Sequence, residues 1–352
     1  MQNLLLGASV VVALVILFMI YKLGTLINIA KGSKTDKEAS SNNVNGILML
    51  AFLIVGGIAA LWSSIAYFDL MDMPVASEHG VKTDSMFWIT MWITGAAFII
   101  THILLFYFAF KYRYKKDAKA MYYPDNHKLE IIWTVVPALV LTILVMYGLS
   151  LWNDITDKAP AEAEVVEIMG AQFAWRVRYP GADNALGKYD YRKIDGSNAF
   201  GIDLSDKKSH DDFVPREIHL PKGKPVLLKI RARDVLHSVY MPQFRVKMDA
   251  VPGMPTQFWF VPTKSTADMR AETGNPEFNY ELACAEICGK GHFSMRMIVV
   301  VDEPADYEAW KKSQQTWLAQ NPEYLSQVPE ELKEVAMLSA GIEENESKDS
   351  SL

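Results

Sequence analysis

The sequence predicts an α+β membrane protein: four N-terminal transmembrane helices, an all-β outer domain, and a short helical, acidic tail. Three observations carry this. The apolar residues, half of the 352, crowd into the first 152 positions. Gly- and Pro-punctuated β-branched runs begin at residue 164, and the charge turns negative after residue 301. A single hydrophobic core rarely grows beyond about 250–300 residues, so more than one unit is expected.

Residues 4–21, 47–68, 86–110 and 131–152 are apolar enough, and long enough at about 20 residues, to cross a bilayer as helices. They lack the polar stripe that a buried helix of a water-soluble protein keeps. The first has neither the basic leader nor the small-residue cleavage site of a signal peptide, so it is expected to be retained. Lys22, Lys31, Lys34 and Lys37 fill the first loop, and Lys111, Arg113, Lys115, Lys116, Lys119 and Lys128 the third; the second holds Lys82 among four acids. Basic loops stay on the cytoplasmic side. The chain is therefore expected to be multi-pass in the inner (plasma) membrane, with both termini and everything after Trp152 on the periplasmic face.

The outer domain, residues 153–302, shows runs at 165–179, 216–220, 226–232, 235–240, 257–261, 278–284 and 295–301. Their spacing reads as an antiparallel sandwich or barrel. The polar, glycine-dotted stretches 182–214 and 262–276 read as surface insertions. In the tail, 303–352, helices are expected at 307–320 and 329–339 and disorder at 343–352. Residues 153–301 carry 20 basic and 20 acidic side chains, against 4 and 12 in residues 302–352. Docking of a partner on the outer domain is then expected to rest less on a summed field than on exposed aromatic surface near Phe173 and Trp175. No nucleic-acid partner is expected.

Only two cysteines occur, Cys284 and Cys288. They stand in Cys284-Ala-Glu286-Ile-Cys288-Gly-Lys-Gly-His292-Phe-Ser-Met295, two thiols, an imidazole and a thioether within twelve positions. His237, on a strand-like segment, offers a second imidazole. Soft sulfur ligands favour copper, and one cysteine beyond the mononuclear His₂Cys set lets two thiolates bridge two ions. A disulfide stays open. Zinc would accept Cys₂His₂ but does not seek a methionine, and redox Cys-x-x-Cys has a different spacing.

The string Cys284–Met295, with 234–242, 247–253 and Leu129-Glu130-Ile-Ile-Trp133-Thr134-Val-Val-Pro137, resembles subunit II of the haem-copper cytochrome c oxidases. The resemblance covers roughly residues 105–152 and 164–302. It implies a cupredoxin-like sandwich and a dinuclear CuA centre. Cys284 and Cys288 would bridge two copper ions, His237 and His292 would cap one each, and Met295 and the Glu286 carbonyl would be axial ligands. The Glu286 side chain would reach a magnesium ion shared with the catalytic subunit I. Glu130 would sit at the mouth of a proton path. The implied partners are the catalytic and other oxidase subunits, the lipid membrane, and a cytochrome c, or a cytochrome c domain, as electron donor. The implied function is transfer of electrons from that donor to the catalytic haem for oxygen reduction coupled to proton pumping.

The chain departs from the family in two ways. Most members have two spans, and the match falls on the third and fourth here. Phe173 stands where the family most often has the tryptophan that receives electrons, so Phe173 or Trp175 is the candidate. A quinol oxidase subunit would lack the thiol ligands. A nitrous oxide reductase would need a histidine-rich second domain that seven histidines cannot build. The alternative reading is a copper subunit of another terminal oxidase with a different donor. His102, inside the third span, is more simply a neutral imidazole bonded within the helices than a functional ionisable group.

Overall fold

The computed structural model describes residues 2–30, 35–71, 73–115 and 118–342. They form two compact units, one of residues 1–72 and 89–140, the other of residues 73–88 and 141–352. The helices of the N-terminal half are α1 (Gln2–Ala30), α2 (Thr35–Ala66), the four-residue α3 (Phe68–Met71), α4 (Glu78–Lys111) and α5 (His127–Thr156). Among the described residues, Ser41–Ala66, Glu78–Lys111 and His127–Thr156 are long and apolar enough to cross a membrane. The first expected span falls in α1, a 29-residue helix that includes the apolar run Val11–Ile27. Lys31, Lys34, Lys116 and the 343–352 end lie outside the described residues.

Helices suit this composition because hydrocarbon offers backbone groups no partner outside the segment itself. Hydroxyls inside the apolar helices bond back one turn, as Ser64 does to the Ala60 carbonyl and Thr101 to the Ala97 carbonyl, both at 2.8 Å. In the first unit the Arg113 guanidinium donates to Asn43 at 2.7 Å, and the Phe52 and Phe106 rings meet at 5.3 Å.

The second unit is a two-sheet sandwich. One sheet orders β2 (Ala174–Arg178), β1 (Glu164–Ala171), β4 (Val226–Ala232) and β7 (Thr256–Phe260). The other orders β3 (Ile218–Pro221), β9 (Arg296–Asp302), β8 (Tyr280–Cys284), β5 (His237–Met241) and β6 (Val246–Ala250). It is not purely antiparallel: β1 pairs with β4, and β3 with β9, in parallel. Parallel neighbours need long connections, and stretches such as 182–214 supply them. The 165–179 run is two strands folded on each other, with Ala171 opposite Ala174. β6 is an edge strand whose exposed Lys247 and Asp249 alternate with buried Val246 and Ala250, so its sequence carries little β signal.

Val166, Ile168, Leu228, Ile230 and Phe258 of one sheet pack with Val239, Met241, Leu282 and Val299 of the other in one core. Residues 73–88 join this unit: Ala76 donates to the Gln243 carbonyl at 2.8 Å, and Arg245 forks onto Asp84 at 2.7 and 2.8 Å. Residues 262–276 are more than a surface insertion, since they hold α6 (Thr266–Thr273), capped by Ser265, with Met269 in the core.

β1 is buried on both faces. Its second face, through Met169, enters another core built from Phe200, Ile202 and Leu204 of the 182–214 stretch and Trp317, Leu318, Tyr324 and Ala336 of the tail. The tail is thus folded as far as residue 342, as α7 (Pro304–Ser313), α8 (Trp317–Gln320), 3₁₀ turns and α9 (Lys333–Ala340). Trp310 of α7 stacks on His219 at 4.1 Å. The Tyr324 hydroxyl bonds Asp195 of the 182–214 stretch at 2.7 Å. Acidity in the tail concealed its aromatic anchors.

Candidate metal centre

Three pieces of backbone converge at one end of the sandwich. β5 begins at His237, β8 ends at Cys284, and the loop after it carries Glu286, Cys288 and His292 before Met295 and β9. Val239 of β5 lies opposite Cys284 of β8, which brings His237 to the thiol although 47 residues separate them. The imidazole fits behind β1 because position 170 is glycine: a Cβ there would stand 2.9 Å from the His237 ring.

The Sγ atoms of Cys284 and Cys288 are 3.9 Å apart and both cysteines are free. A disulfide would bring them to about 2.05 Å, so that alternative is not what the fold forms. His237 Nδ1 lies 3.8 Å from Cys284 Sγ, and His292 Nδ1 lies 3.7 Å from Cys288 Sγ. Met295 Sδ is 3.9 Å from Cys288 Sγ, and the Glu286 carbonyl oxygen is 3.2 Å from Cys284 Sγ. His237 Nδ1 and the two sulfurs fall within 4.8 Å of one another. Gaps just under 4 Å are what an ion leaves when it holds donors at about 2.0–2.3 Å on either side. The donor set therefore fits copper, which favours thiolate, thioether and imidazole together. His237, Cys288 and Met295 are buried. Burial, with the Cys284 thiol beside it, pushes the Cys288 thiol up to about 11. A bound cation reverses that preference, since a coordinating thiol loses its proton.

Outer partners orient the ligands. Asp234 accepts from His237 Nε2 at 2.9 Å, which leaves Nδ1 facing the sulfurs. Burial works against ionising Asp234, but bonds from the Gln172 N–H, His237 and the Val235 N–H together hold it below its ordinary value. Gln172 acts twice: its backbone N–H donates to Asp234 at 2.7 Å and its carboxamide donates to the Cys288 carbonyl at 2.6 Å. This tie carries no sequence signature beyond its closeness to Phe173.

Phe173 is half-buried and packs against the metal loop. A Cβ at Gly291 or Gly289 would come within 2.4 or 2.9 Å of its ring. Trp175 meets the His237 ring edge-on at 5.9 Å but is 4% exposed, so it offers no outer contact. The exposed apolar surface expected near Phe173 and Trp175 is supplied instead by Ile287 and Phe293, 83% and 82% exposed on the metal loop, and by Leu236. Sequence reasoning missed these because single apolar residues in a loop carry no pattern. The Glu286 side chain is exposed at the same end.

Glu130 lies in the other unit, at the start of α5. Its carboxylate accepts from the Asn126 N–H at 3.4 Å and meets His127 Nδ1 at 3.1 Å, while Asn126 Oδ1 caps the Leu129 N–H at 3.1 Å. That is a helix-capping arrangement. His102 Nδ1 donates within its own helix to the Phe98 carbonyl, 2.9 Å away.

Comparison with known proteins identifies the family. The family described as cytochrome c oxidase subunit II, periplasmic domain, matches residues 164–302, and the one described as its transmembrane domain matches residues 66–151. The alternative cytochrome c oxidase subunit 2 of Bradyrhizobium diazoefficiens is 40% identical over 248 residues, which are 69% of this chain and 84% of that one. Cytochrome c oxidase subunit 2 of Thermostichus vulcanus is 28% identical over 68% of this chain and 77% of its own. Among solved structures, the periplasmic domain of subunit II of cytochrome oxidase from Bradyrhizobium japonicum aligns with 45% of this chain and 96% of its own, at 21% identity and a TM-score of 0.30.

Proposed function

Since the chain belongs to the cytochrome c oxidase subunit II family, whose role is to admit electrons to an oxidoreductase complex, we propose that its six converging donors hold a dinuclear copper centre. The centre would take electrons from a cytochrome c and pass them to the haem of the catalytic subunit. The observation that carries this is the pairing of each imidazole with a different sulfur: His237 with Cys284, and His292 with Cys288. One tetrahedral ion would draw both imidazoles to a common point, whereas two ions bridged by two thiolates leave them at opposite ends. Bound copper would supply one-electron redox chemistry. The protein's part is to fix six donors before the metal arrives and to bury three of the side chains from water.

Phe173, in contact with the metal loop, is the candidate on the electron path nearer the surface, and Trp175 is an inner aromatic against His237. Ile287, Phe293 and Leu236 would meet partner subunits or the donor by apolar contact, in keeping with a domain of balanced charge. Glu286 would reach a magnesium ion shared with the catalytic subunit. The lysine-rich loops favour an orientation in which, with α1 as a fourth span, the copper domain and both termini would lie on the periplasmic side of the inner membrane.

Copper-loaded protein is expected to contain two copper ions per chain and to show the near-infrared band and EPR signal of an electron shared between them. One ion per chain with an ordinary mononuclear EPR signal would sink this reading. Glu130 would admit protons from the cytoplasmic side. Glu130→Gln keeps the capping acceptor and removes the acid, so slower turnover of the assembled oxidase with unchanged copper content is expected. Unaltered turnover would leave Glu130 a helix cap.

A further inference from the structure

The outer face of the first sheet carries a charged cluster that electron transfer does not use. In the strand register Glu167 of β1 stands opposite Lys229 of β4, which stands opposite Gln257 of β7. Arg231 follows Lys229 on the same face by the two-residue period. The 182–214 stretch roofs this face, with the Arg231 guanidinium 3.6 Å from the centre of the Tyr189 ring. Between roof and sheet lies a pocket of about 200 Å³, lined by Glu167, Tyr189, Lys229, Arg231, Thr256 and Gln257 together with Pro255.

Which polar atoms are already used decides what the pocket accepts. Glu167 spends one oxygen on Arg231 at 2.6 Å and the other on Arg178 at 2.5 Å. Arg231 Nη2 bonds the Phe200 carbonyl at 3.3 Å, and the Thr256 hydroxyl donates to the Asp249 carbonyl. Among the described residues, Arg231 Nη1, the Lys229 ammonium, the Tyr189 hydroxyl and the Gln257 carboxamide keep no partner. The carboxylate is consumed and the cationic donors stay open, which suits an anionic ligand with acceptors in excess.

The charge agrees. Two guanidinium groups face one fully paired carboxylate, Glu167. The second carboxylate, Asp212, is buried against Arg178 at 3.2 Å, away from the pocket lining, and burial pushes it up to about 7. Lys229 adds a further positive charge at the rim.

We propose that this pocket is a binding site for a small oxyanion, a carboxylate or a phosphate, gripped between the Arg231 guanidinium and the Lys229 ammonium and hydrogen-bonded by Tyr189 and Gln257. Charge-assisted bonds to guanidinium and ammonium are the stronger kind, and the planar fork of arginine matches both anions. The site lies on the face of β1 away from the sandwich core and shares no residue with the metal ligands.

The test is calorimetric titration of the detergent-solubilised full chain with potassium phosphate and, separately, potassium succinate, against potassium chloride at matched ionic strength. A saturable isotherm is expected with at least one oxyanion and none with chloride. Lys229→Met combined with Tyr189→Phe, both at exposed positions, should weaken binding about tenfold or more while the copper spectrum and thermal midpoint stay put. Arg231→Lys, which keeps the charge and loses the fork, should weaken it too. Binding of phosphate alone assigns the site to phosphate and its esters, and binding of succinate alone to carboxylates. Absence of saturable binding to both, or binding that the double variant leaves intact, overturns the site.

Discussion

Cys288→Ser is expected to abolish the shared-electron copper spectrum, leave at most one copper per chain, and cut electron transfer from a cytochrome c by well over the roughly 10–100-fold typical of losing an outer-shell partner. Cys288 is the hub of the donor set: Cys284, His292 and Met295 all place their donor atoms 3.7–3.9 Å from its sulfur. Serine puts a hard oxygen where the proposed centre would use a soft bridging sulfur. Met295→Leu makes the contrast, because Met295 would be an axial donor at one end of the proposed centre, and its loss is expected to retain two coppers with a shifted potential. The measurements are copper per chain, the EPR spectrum and stopped-flow electron transfer. A wild-type spectrum in Cys288→Ser would rule out bridging by this residue.

Ending the chain at Glu303 should also have a large effect, on stability rather than on redox chemistry. Truncation removes Trp317, Leu318 and Tyr324 from the second core and leaves Phe200 and Met169 facing water. It also strips Trp310 from Tyr179, Phe213 and His219. Loss of one buried tryptophan side chain costs about 3–5 kcal/mol, so loss of the whole segment is expected to lower the thermal midpoint by more than 10 °C or prevent folding of the outer domain. Trp317→Ala alone should cost about 3–5 kcal/mol in thermal unfolding followed by near-UV circular dichroism. An unchanged midpoint in the truncated chain would mean that the tail covers a core able to stand without it.

The proposed copper ligands stood out in the sequence because metal chemistry restricts residue type and spacing at once, and the Cys284–Met295 string satisfies both; the fold brings His237, Cys284 and Cys288 within 4.8 Å of one another. The strands with β-branched runs, such as Val226–Ala232, were legible for a similar reason, since composition and period agreed. Other features depend on neighbours distant in sequence. Edge strand β6 reads as polar because one of its faces is wet. Residues 182–214 read as a surface insertion because their apolar residues, Phe200, Ile202 and Leu204, are few and find their partners more than a hundred positions later. Trp175 looked like an outer aromatic until the fold placed the hairpin with Phe173 outward and Trp175 behind His237. Gln172 was invisible, because nothing in a lone glutamine announces that it will touch two other loops.

That glutamine bears on how an electron carrier works. Each transfer wastes free energy if the ligand cage must rearrange when the metal changes oxidation state, and the waste grows with how far the donors can drift independently. Gln172 joins the β1–β2 hairpin to Asp234, and through it to His237, while its side chain grips the loop that holds Cys288. Three segments remote from one another in the chain are therefore tied together by hydrogen bonds. A metal held there would meet a cage with little room to relax, and a low reorganisation energy is the expected result.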